Sequence, residues 1–206
     1  MAERGGPGEE ESISLTELSD VSNALVLVPS LGGRGRKFSN KLLSQTPPSE
    51  TNVLAITFTS TPDEWVEDWM DQTGVAPVRG GIVAVGQGEG TVDDPTWAVK
   101  TVDNPSDLTG IGIELSELLS GMATAASDDE TVAVSFDSIT SLLQYADLQR
   151  AFRFLHVVTG RIKTIDGVGY YTLDPEAHDK QTVATLKGLF DAVVHVESDG
   201  SWTVER

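Results

Sequence analysis

The sequence contains no cysteine, which excludes a disulfide framework, thiolate ligation of zinc or iron–sulfur clusters, and a cysteine nucleophile. Histidine is rare as well, and His156, His178 and His195 are too far apart in the sequence for a local metal-binding motif. No apolar run approaches the roughly 18–20 residues of a transmembrane helix, and the first residues lack the apolar region of a signal peptide. We therefore expect a soluble, cytoplasmic protein without a metal site and without membrane association.

Basic residues are also scarce. The chain has 14 Lys and Arg against 32 Asp and Glu, which gives a net charge of −18. Such a surface repels phosphate backbones, so nucleic acid is not an expected partner. Self-repulsion of this size destabilises a compact state, but at about 1 M salt the Debye length falls to about 3 Å and the repulsion is screened. This composition favours a protein of an extreme halophile, an archaeon; an acidic protein of a mesophile is the alternative.

The order of apolar segments predicts one domain preceded by a tail. Residues 1–22 are polar and acidic, and we expect a flexible tail that forms at most a short docking helix. Residues 23–206 contain short apolar runs of the kind seen in strands buried on both faces, at 24–28, 53–58, 81–85, 131–136, 168–173 and 191–196. Helical apolar spacing separates several of these runs, at 62–69, 108–122 and 148–162.

Strands that alternate with helices in this way predict an α/β fold with three layers and a mostly parallel sheet. The last strand is followed by Asp199-Gly200 and a short apolar piece at 202–205, which predicts a C-terminal antiparallel hairpin. In such folds ligands bind at the carboxyl ends of the strands. We therefore searched these ends for candidate functional residues.

Two segments at these ends have the residue types of a phosphate site. A glycine-rich basic loop follows the first strand and precedes a helix, where backbone N–H groups can hold an anion. An acid, Asp137, ends the fourth strand, as a magnesium site beside a phosphate would require. The candidate nucleotide- or anion-binding residues are Ser30, Gly32, Gly33, Arg34, Gly35, Arg36, Lys37, Asp137 and Ser138.

Three segments resemble those of RecA/KaiC-type P-loop ATPases. Residues 134–142, Val-Ser-Phe-Asp-Ser-Ile-Thr-Ser-Leu, resemble that family's strand of apolar residues followed by Asp-Ser-Leu-Thr. Residues 53–62 resemble the strand that in the family ends in Phe, Glu, Glu, Ser, Pro, and residues 189–194 resemble its last strand. The resemblance covers residues 23–206. Within this family, the chain most resembles the RecA/KaiC-like proteins of haloarchaea. It implies a three-layer RecA-like domain, possible ATP and magnesium, and Asp137 as the ligand of any bound magnesium.

The phosphate loop departs from the family's pattern, G-x-x-x-x-G-K-[ST]. If Lys37 is the lysine, Leu31 and Arg36 stand at the two glycine positions and Phe38 replaces the hydroxyl that binds magnesium. Alignment on the following helix instead places Gly35 and Arg36 where Lys and Ser or Thr belong. The magnesium hydroxyl is missing in both alignments.

The family's paired catalytic glutamates fall on Thr59 and Ser60. A hydroxyl cannot act as general base toward water at neutral pH, because its pKa is too high. The chain is therefore predicted to have a degenerate ATPase fold without enzymatic activity. We expect a non-catalytic module for regulatory or signalling interactions with an unidentified protein, with no required cofactor. The alternatives are a nucleotide-binding protein or slow ATPase that uses loop 30–37 and Asp137, and a DNA-associated recombinase paralogue. We expect a monomer or dimer, with a hexamer not excluded.

Several residues have a structural interpretation beside the functional one. Asp137 is either a metal or nucleotide ligand or the N-cap of the helix that starts at Ser138. The basic loop either binds an anion or is a solvated loop. Ser138 lacks the G-x-S-x-G context of a hydrolase nucleophile. Trp65 and Trp69, flanked by acids, belong either to the core or to a partly exposed interface.

Overall fold

The structure is a computed structural model that describes residues 18, 20–29, 34–88, 90–197 and 201–206, with the backbone alone for 34–37. Within these residues eight strands form one sheet of order β4-β3-β2-β5-β6-β1-β7-β8. The strands are β1 (Asn23–Leu27), β2 (Thr51–Thr57), β3 (Arg79–Val85), β4 (Trp97–Val102), β5 (Thr131–Asp137), β6 (Val168–Leu173), β7 (Ala192–Val196) and β8 (Trp202–Glu205). All neighbouring strands are parallel except β7 and β8, which form the predicted antiparallel hairpin.

Helices cover both faces of the sheet. They are α1 (Arg34–Leu43), α2 (Pro62–Thr73), α3 (Leu108–Ala125), α4 (Ile139–Tyr145), α5 (Leu148–Thr164) and α6 (Lys180–Lys187). Helices α1 and α2 pack on the first face and the other four on the second face. Side chains of a strand alternate between the faces: in β2, Val53 and Ala55 belong to the core of the first face, while Leu54 and Ile56 belong to that of the second. The α/β class and the mostly parallel sheet are confirmed.

The first face has an aromatic core. Trp65 and Trp69 are 1% and 0% exposed, and their rings stack with centroids 6.0 Å apart. Trp97 of β4 meets Trp65 edge-on at 5.5 Å. A Cβ at Gly80, its neighbour on β3, would lie 2.1 Å from the Trp97 ring, so only glycine leaves room for it. Of the two interpretations of Trp65 and Trp69, the core one is therefore confirmed, and the partly exposed interface is excluded by the burial of both indoles.

The sequence analysis missed β4, which lies at one edge of the sheet. Its middle residues are half-exposed or exposed, and Lys100 in its centre forms ion pairs with Glu114 and Glu117 of α3. An edge strand of this kind lacks the continuous apolar run that identified the others. The predicted boundary between tail and domain lies at residue 23. Leu18 and Val21 are buried in the first-face core, so the packed part of the chain begins before that residue.

Candidate functional site

Polar residues form a row across the carboxyl edge of the sheet. Asp137 ends β5, and on one side it is level with Thr57 of β2. On the other side the register of β5 with β6 places it beside Thr172, which is level with Val26 of β1. Neighbouring strands lie about 4.8 Å apart, so Asp137 is about 10 Å from β1 across the intervening strand. The predicted anion-binding loop follows β1 in the sequence, and the described end of β1 lies at the same edge of the sheet as Asp137.

The carboxylate of Asp137 is held by two hydroxyl groups. Thr59 Oγ1 donates to Oδ2 at 2.8 Å, and Thr172 Oγ1 donates to Oδ1 at 2.9 Å. Thr172 is buried and Thr59 is exposed, so the carboxylate lies between the interior and the solvent. We call this group of Asp137, Thr59 and Thr172 the Asp137 corner. Both carboxylate oxygens already accept a hydrogen bond from a neutral donor.

The segment that carries Thr59 is a tight turn after β2. Thr57 Oγ1 accepts hydrogen bonds from the backbone N–H of Thr59 at 3.3 Å and of Ser60 at 3.0 Å. Gln87, just after β3, donates from Nε2 to the carbonyl oxygen of Phe58 at 2.6 Å. These bonds fix the turn, and with it the position of the Thr59 hydroxyl over Asp137.

Ser138 is the N-cap of α4. Its Oγ accepts a hydrogen bond from the backbone N–H of Ser141 at 3.1 Å, and the peptide bond between Asp137 and Ser138 is cis. The interpretation of Asp137 as the helix cap is wrong, because its carboxylate is engaged by the two threonines and the neighbouring serine makes the capping bond. Asp137 and Ser138 are therefore adjacent but have separate roles.

The predicted phosphate loop is only partly described. Ser30, Gly32 and Gly33 lie outside the described residues, as do the side chains of Arg34, Arg36 and Lys37, while Gly35 lies in the first turn of α1. Helix α1 packs over β5 and β6, and Ser39 Oγ meets Ser135 Oγ at 3.1 Å in the interior. The ring of Phe38 packs against the first-face core. The start of α1 therefore lies on the same face as the Asp137 side chain, since Ser135 and Asp137 point the same way.

Of the other titratable groups, His178 lies near this edge, whereas Tyr170 lines a pocket at the opposite edge of the sheet with Thr131 and Val168. His178 Nε2 lies 3.3 Å from Thr140 Oγ1, which accepts a hydrogen bond from the backbone N–H of Asp174. Burial raises the pKa of Tyr170 to about 12, so its phenol is neutral at physiological pH. In the part of the chain that the structure describes, no three His, Cys, Asp or Glu residues group as a metal site would require.

The chain matches the model of a protein family. The model of a family of unknown function, DUF7504, matches residues 21–196. The chain belongs to this family. No curated protein matches the sequence. Among the residues described, none of the helices has the length and apolar character needed to cross a bilayer.

Solved structures share the fold of this DUF7504 chain. One is titled a structural study of Project ID PH0250 from Pyrococcus horikoshii OT3; its TM-score is 0.57 at 10% identity, over 90% of this chain and 86% of that one. In all, 233 chains of solved structures match, so the fold is widespread and does not by itself identify a function.

Sequence reasoning missed two residues at this edge of the DUF7504 chain: Thr172, which donates to Asp137, and Gln87, which donates to the carbonyl oxygen of Phe58. Thr172 is a lone polar residue near the end of an apolar strand, and this position was the available signal. Gln87 follows β3 in a glycine-containing segment that has no recognisable motif. Thr59 was identified, but as a missing acid and not as a hydrogen-bond donor to Asp137.

Proposed function

We propose that this DUF7504 chain is a non-catalytic module on a RecA/KaiC-like fold that acts through regulatory or signalling interactions. The strand order supports the fold assignment, because it places an acid-ending strand and a strand that leads into a glycine-rich loop at one edge, with one strand between them. The altered chemistry of that edge supports the non-catalytic assignment.

The observation that carries the proposal is the hydrogen bonding of Asp137. Its two oxygens accept from Thr59 and Thr172, and Thr59 stands where the resemblance implies a catalytic glutamate. A threonine hydroxyl donates to the carboxylate, whereas a glutamate there would repel it and accept a proton from water. Hydrolysis needs such a base, and a hydroxyl cannot supply it at neutral pH.

Phe38 supports the same conclusion. Under the alignment on Lys37 it occupies the position of the hydroxyl that would help to hold magnesium, and its ring packs against an apolar core. Magnesium bound to a nucleotide uses one or two carboxylates, hydroxyl groups and phosphate oxygens. Asp137 fits such a set, but Phe38 offers no oxygen where the family has its hydroxyl, and the Thr59 hydroxyl already donates to Asp137. Phosphoryl transfer depends on positioned charge, and each factor of ten in rate corresponds to about 1.4 kcal/mol.

A nucleotide-binding function is the second candidate, and one observation favours it. Helix α1 is ten residues long, its first turn contains Arg34, Arg36 and Lys37, and it lies on the same face as Asp137. The N-terminus of a helix carries partial positive charge and free N–H groups, which favour an anion. Binding without hydrolysis would be compatible with a regulatory role.

Calorimetry with ATP in molar KCl, with and without magnesium, together with a phosphate-release assay, tests both candidates. We expect no magnesium-dependent ATP turnover above background. Turnover that Asp137→Ala abolishes in a folded protein would show that Asp137 is a working ligand and would refute the non-catalytic assignment. Tight magnesium-dependent binding without turnover would favour the second candidate.

Thr59→Glu sharpens this test, with Thr91→Glu as the control at another exposed position outside the elements of secondary structure. The first variant places a carboxylate beside Asp137 and the second adds the same charge elsewhere. If Thr59→Glu alone gives measurable turnover, the missing base is the main defect of the site.

A further inference from the structure

A groove between α3 and α5 lies on the second face, away from the Asp137 corner. It has a volume of about 520 Å³, and its apolar lining includes Ile113 and Val157, which are 58% and 53% exposed. These two are among the few large apolar side chains that the described residues leave open to solvent. Arg150, Arg153 and Arg161 line the same groove and are exposed. We call this surface, formed by these five residues and their neighbours, the basic groove.

The arginines of the basic groove lack acidic partners within the described residues. Arg150 donates to the carbonyl oxygen of Ser106 at 3.2 Å, and Arg161 donates to the hydroxyl of Ser116. None of the three arginines forms an ion pair with a described carboxylate, although acids outnumber bases in the chain by 32 to 14. Three of the 14 basic residues are thus concentrated on one surface without internal neutralisation.

The acidic side chains of α3 form ion pairs with a strand and not with the arginines of the groove. Glu114 and Glu117 both pair with Lys100 of β4, at 3.4 and 2.8 Å. Asp147, the acid nearest the start of α5, caps that helix by accepting from the backbone N–H of Arg150. Asp107, which precedes α3, likewise accepts from the backbone N–H of Gly110. The three guanidinium groups of the groove are therefore not paired with any of these carboxylates.

The dimensions of the groove distinguish a helix from a small anion. Arg150 reaches Ser106, just before α3, and Arg161 reaches Ser116 further along it, so the two helices run in the same direction. Arg161 follows Arg150 by eleven positions in α5, and at 1.5 Å per residue the two lie about 16 Å apart along the helix axis. A small anion cannot contact both ends, whereas a helix of about three turns can lie along the apolar lining with acids beside the arginines.

We propose that the basic groove binds an acidic amphipathic α-helix of a partner protein, about three turns long. Apolar side chains of the partner would cover Ile113 and Val157, and its carboxylates would pair with the three arginines. This names a partner class for the interaction module and in that sense rests on the proposed function. Peptide binding tests the groove and ATP turnover tests the edge of the sheet, so either proposal can fail without the other.

Two synthetic helical peptides of 12 residues serve as probes. Both have leucines along one face; one has glutamates on the flanks and the other has lysines. Binding is followed by fluorescence anisotropy of a labelled peptide, at the lowest KCl concentration at which circular dichroism shows a folded chain. We expect the glutamate peptide to bind at least about tenfold more tightly than the lysine peptide.

Matched variants locate the binding. Arg153→Glu and Lys180→Glu change the net charge equally, and Val157→Asp and Val75→Asp introduce the same acid at exposed valines. We expect at least about tenfold weaker binding for Arg153→Glu and Val157→Asp and unchanged binding for the two controls, which lie outside the groove. Arg153→Glu should also narrow the preference for the glutamate peptide over the lysine peptide.

Three results would overturn the proposal. The first is equal or undetectable binding of the two peptides to the wild type. The second is equal weakening by Arg153→Glu and Lys180→Glu, which would show an effect of net charge alone. The third is self-association in sedimentation velocity that Arg153→Glu removes, which would make a second copy of the chain the occupant.

Discussion

The charged groups of the Asp137 corner and of the basic groove differ in their partners. In the corner one carboxylate accepts hydrogen bonds from two neutral hydroxyl groups of the same chain. In the groove three arginines keep their charge beside exposed apolar side chains. A charged group that is hydrogen-bonded to buried and turn residues contributes to the fold, whereas exposed arginines without an ion pair to a described carboxylate are available to the acids of a partner. The comparison predicts that substitutions in the corner change stability and substitutions in the groove change binding.

Asp137→Ala should have the largest effect on stability. It removes the carboxylate that accepts from Thr59 and, at 2.9 Å, from the buried Thr172, so that Thr172 keeps only its longer 3.3 Å contact with the carbonyl oxygen of Phe136. Hydrogen bonds to a charged group contribute about 1.5–3 kcal/mol. Asp137→Asn keeps one carbonyl oxygen and should cost less. Urea denaturation in molar KCl measures both differences. Equal stability of the wild type and the alanine variant would show that the corner does not stabilise the fold.

Ser138→Ala should cost about 0.5–2 kcal/mol, because it removes the N-cap bond of α4. The control is Ser120→Ala at an exposed position within α3, where alanine is the better helix former and no loss is expected. The same denaturation experiment compares the two. If Ser138→Ala costs no more than Ser120→Ala, the capping bond seen in the structure contributes nothing.

Glu130 combines features of the two sites, because its carboxylate forms an ion pair with Arg79 and accepts hydrogen bonds from neutral groups of the same chain. Hydrogen bonds from the Asn52 amide and the Ser127 hydroxyl, and then the Arg79 guanidinium, lower the pKa of Glu130 from its ordinary 4.5. Since the folded pKa is lowered, the contribution is present above pH 4.5 and is lost as the pH falls through the folded value. The unfolding midpoint of the wild type should fall more steeply than that of Glu130→Gln between pH 5 and 3. Parallel curves would contradict this assignment.

Arg153→Glu should have the smallest effect on stability, within about 0.5 kcal/mol in molar KCl, because the side chain is exposed and has no ion pair with a described residue. At low salt the variant adds negative charge to a chain of net charge −18 and should be less stable than the wild type.

The salt dependence of the wild type is a separate prediction. The wild type should have a higher thermal unfolding midpoint at 2 M than at 0.1 M KCl, since salt screens the self-repulsion of its negative charges. Equal midpoints at the two concentrations would contradict the halophile interpretation.

The sequence predicted the central strands well, because strands buried on both faces are continuous apolar runs, as in residues 53–57 and 131–136. It did not predict β4, whose exposed side and central Lys100 reflect its place at the edge. It placed Asp137 at the end of its strand but assigned the helix cap ambiguously, since adjacent Asp and Ser are both good caps. Thr172 and Thr59 are far apart in the sequence and meet Asp137 only through the sheet register, which local patterns do not encode.

The tryptophan cluster of the first face has a spectroscopic consequence. Trp65, Trp69 and Trp97 lie within 6.4 Å of one another, measured between ring centroids, while Trp202 stands apart on β8. Intrinsic fluorescence and near-ultraviolet dichroism of the folded chain will therefore report mainly on the packing of α2 against β3 and β4. The basic groove lies across the sheet from these indoles, so a peptide that binds there should leave the tryptophan emission unchanged.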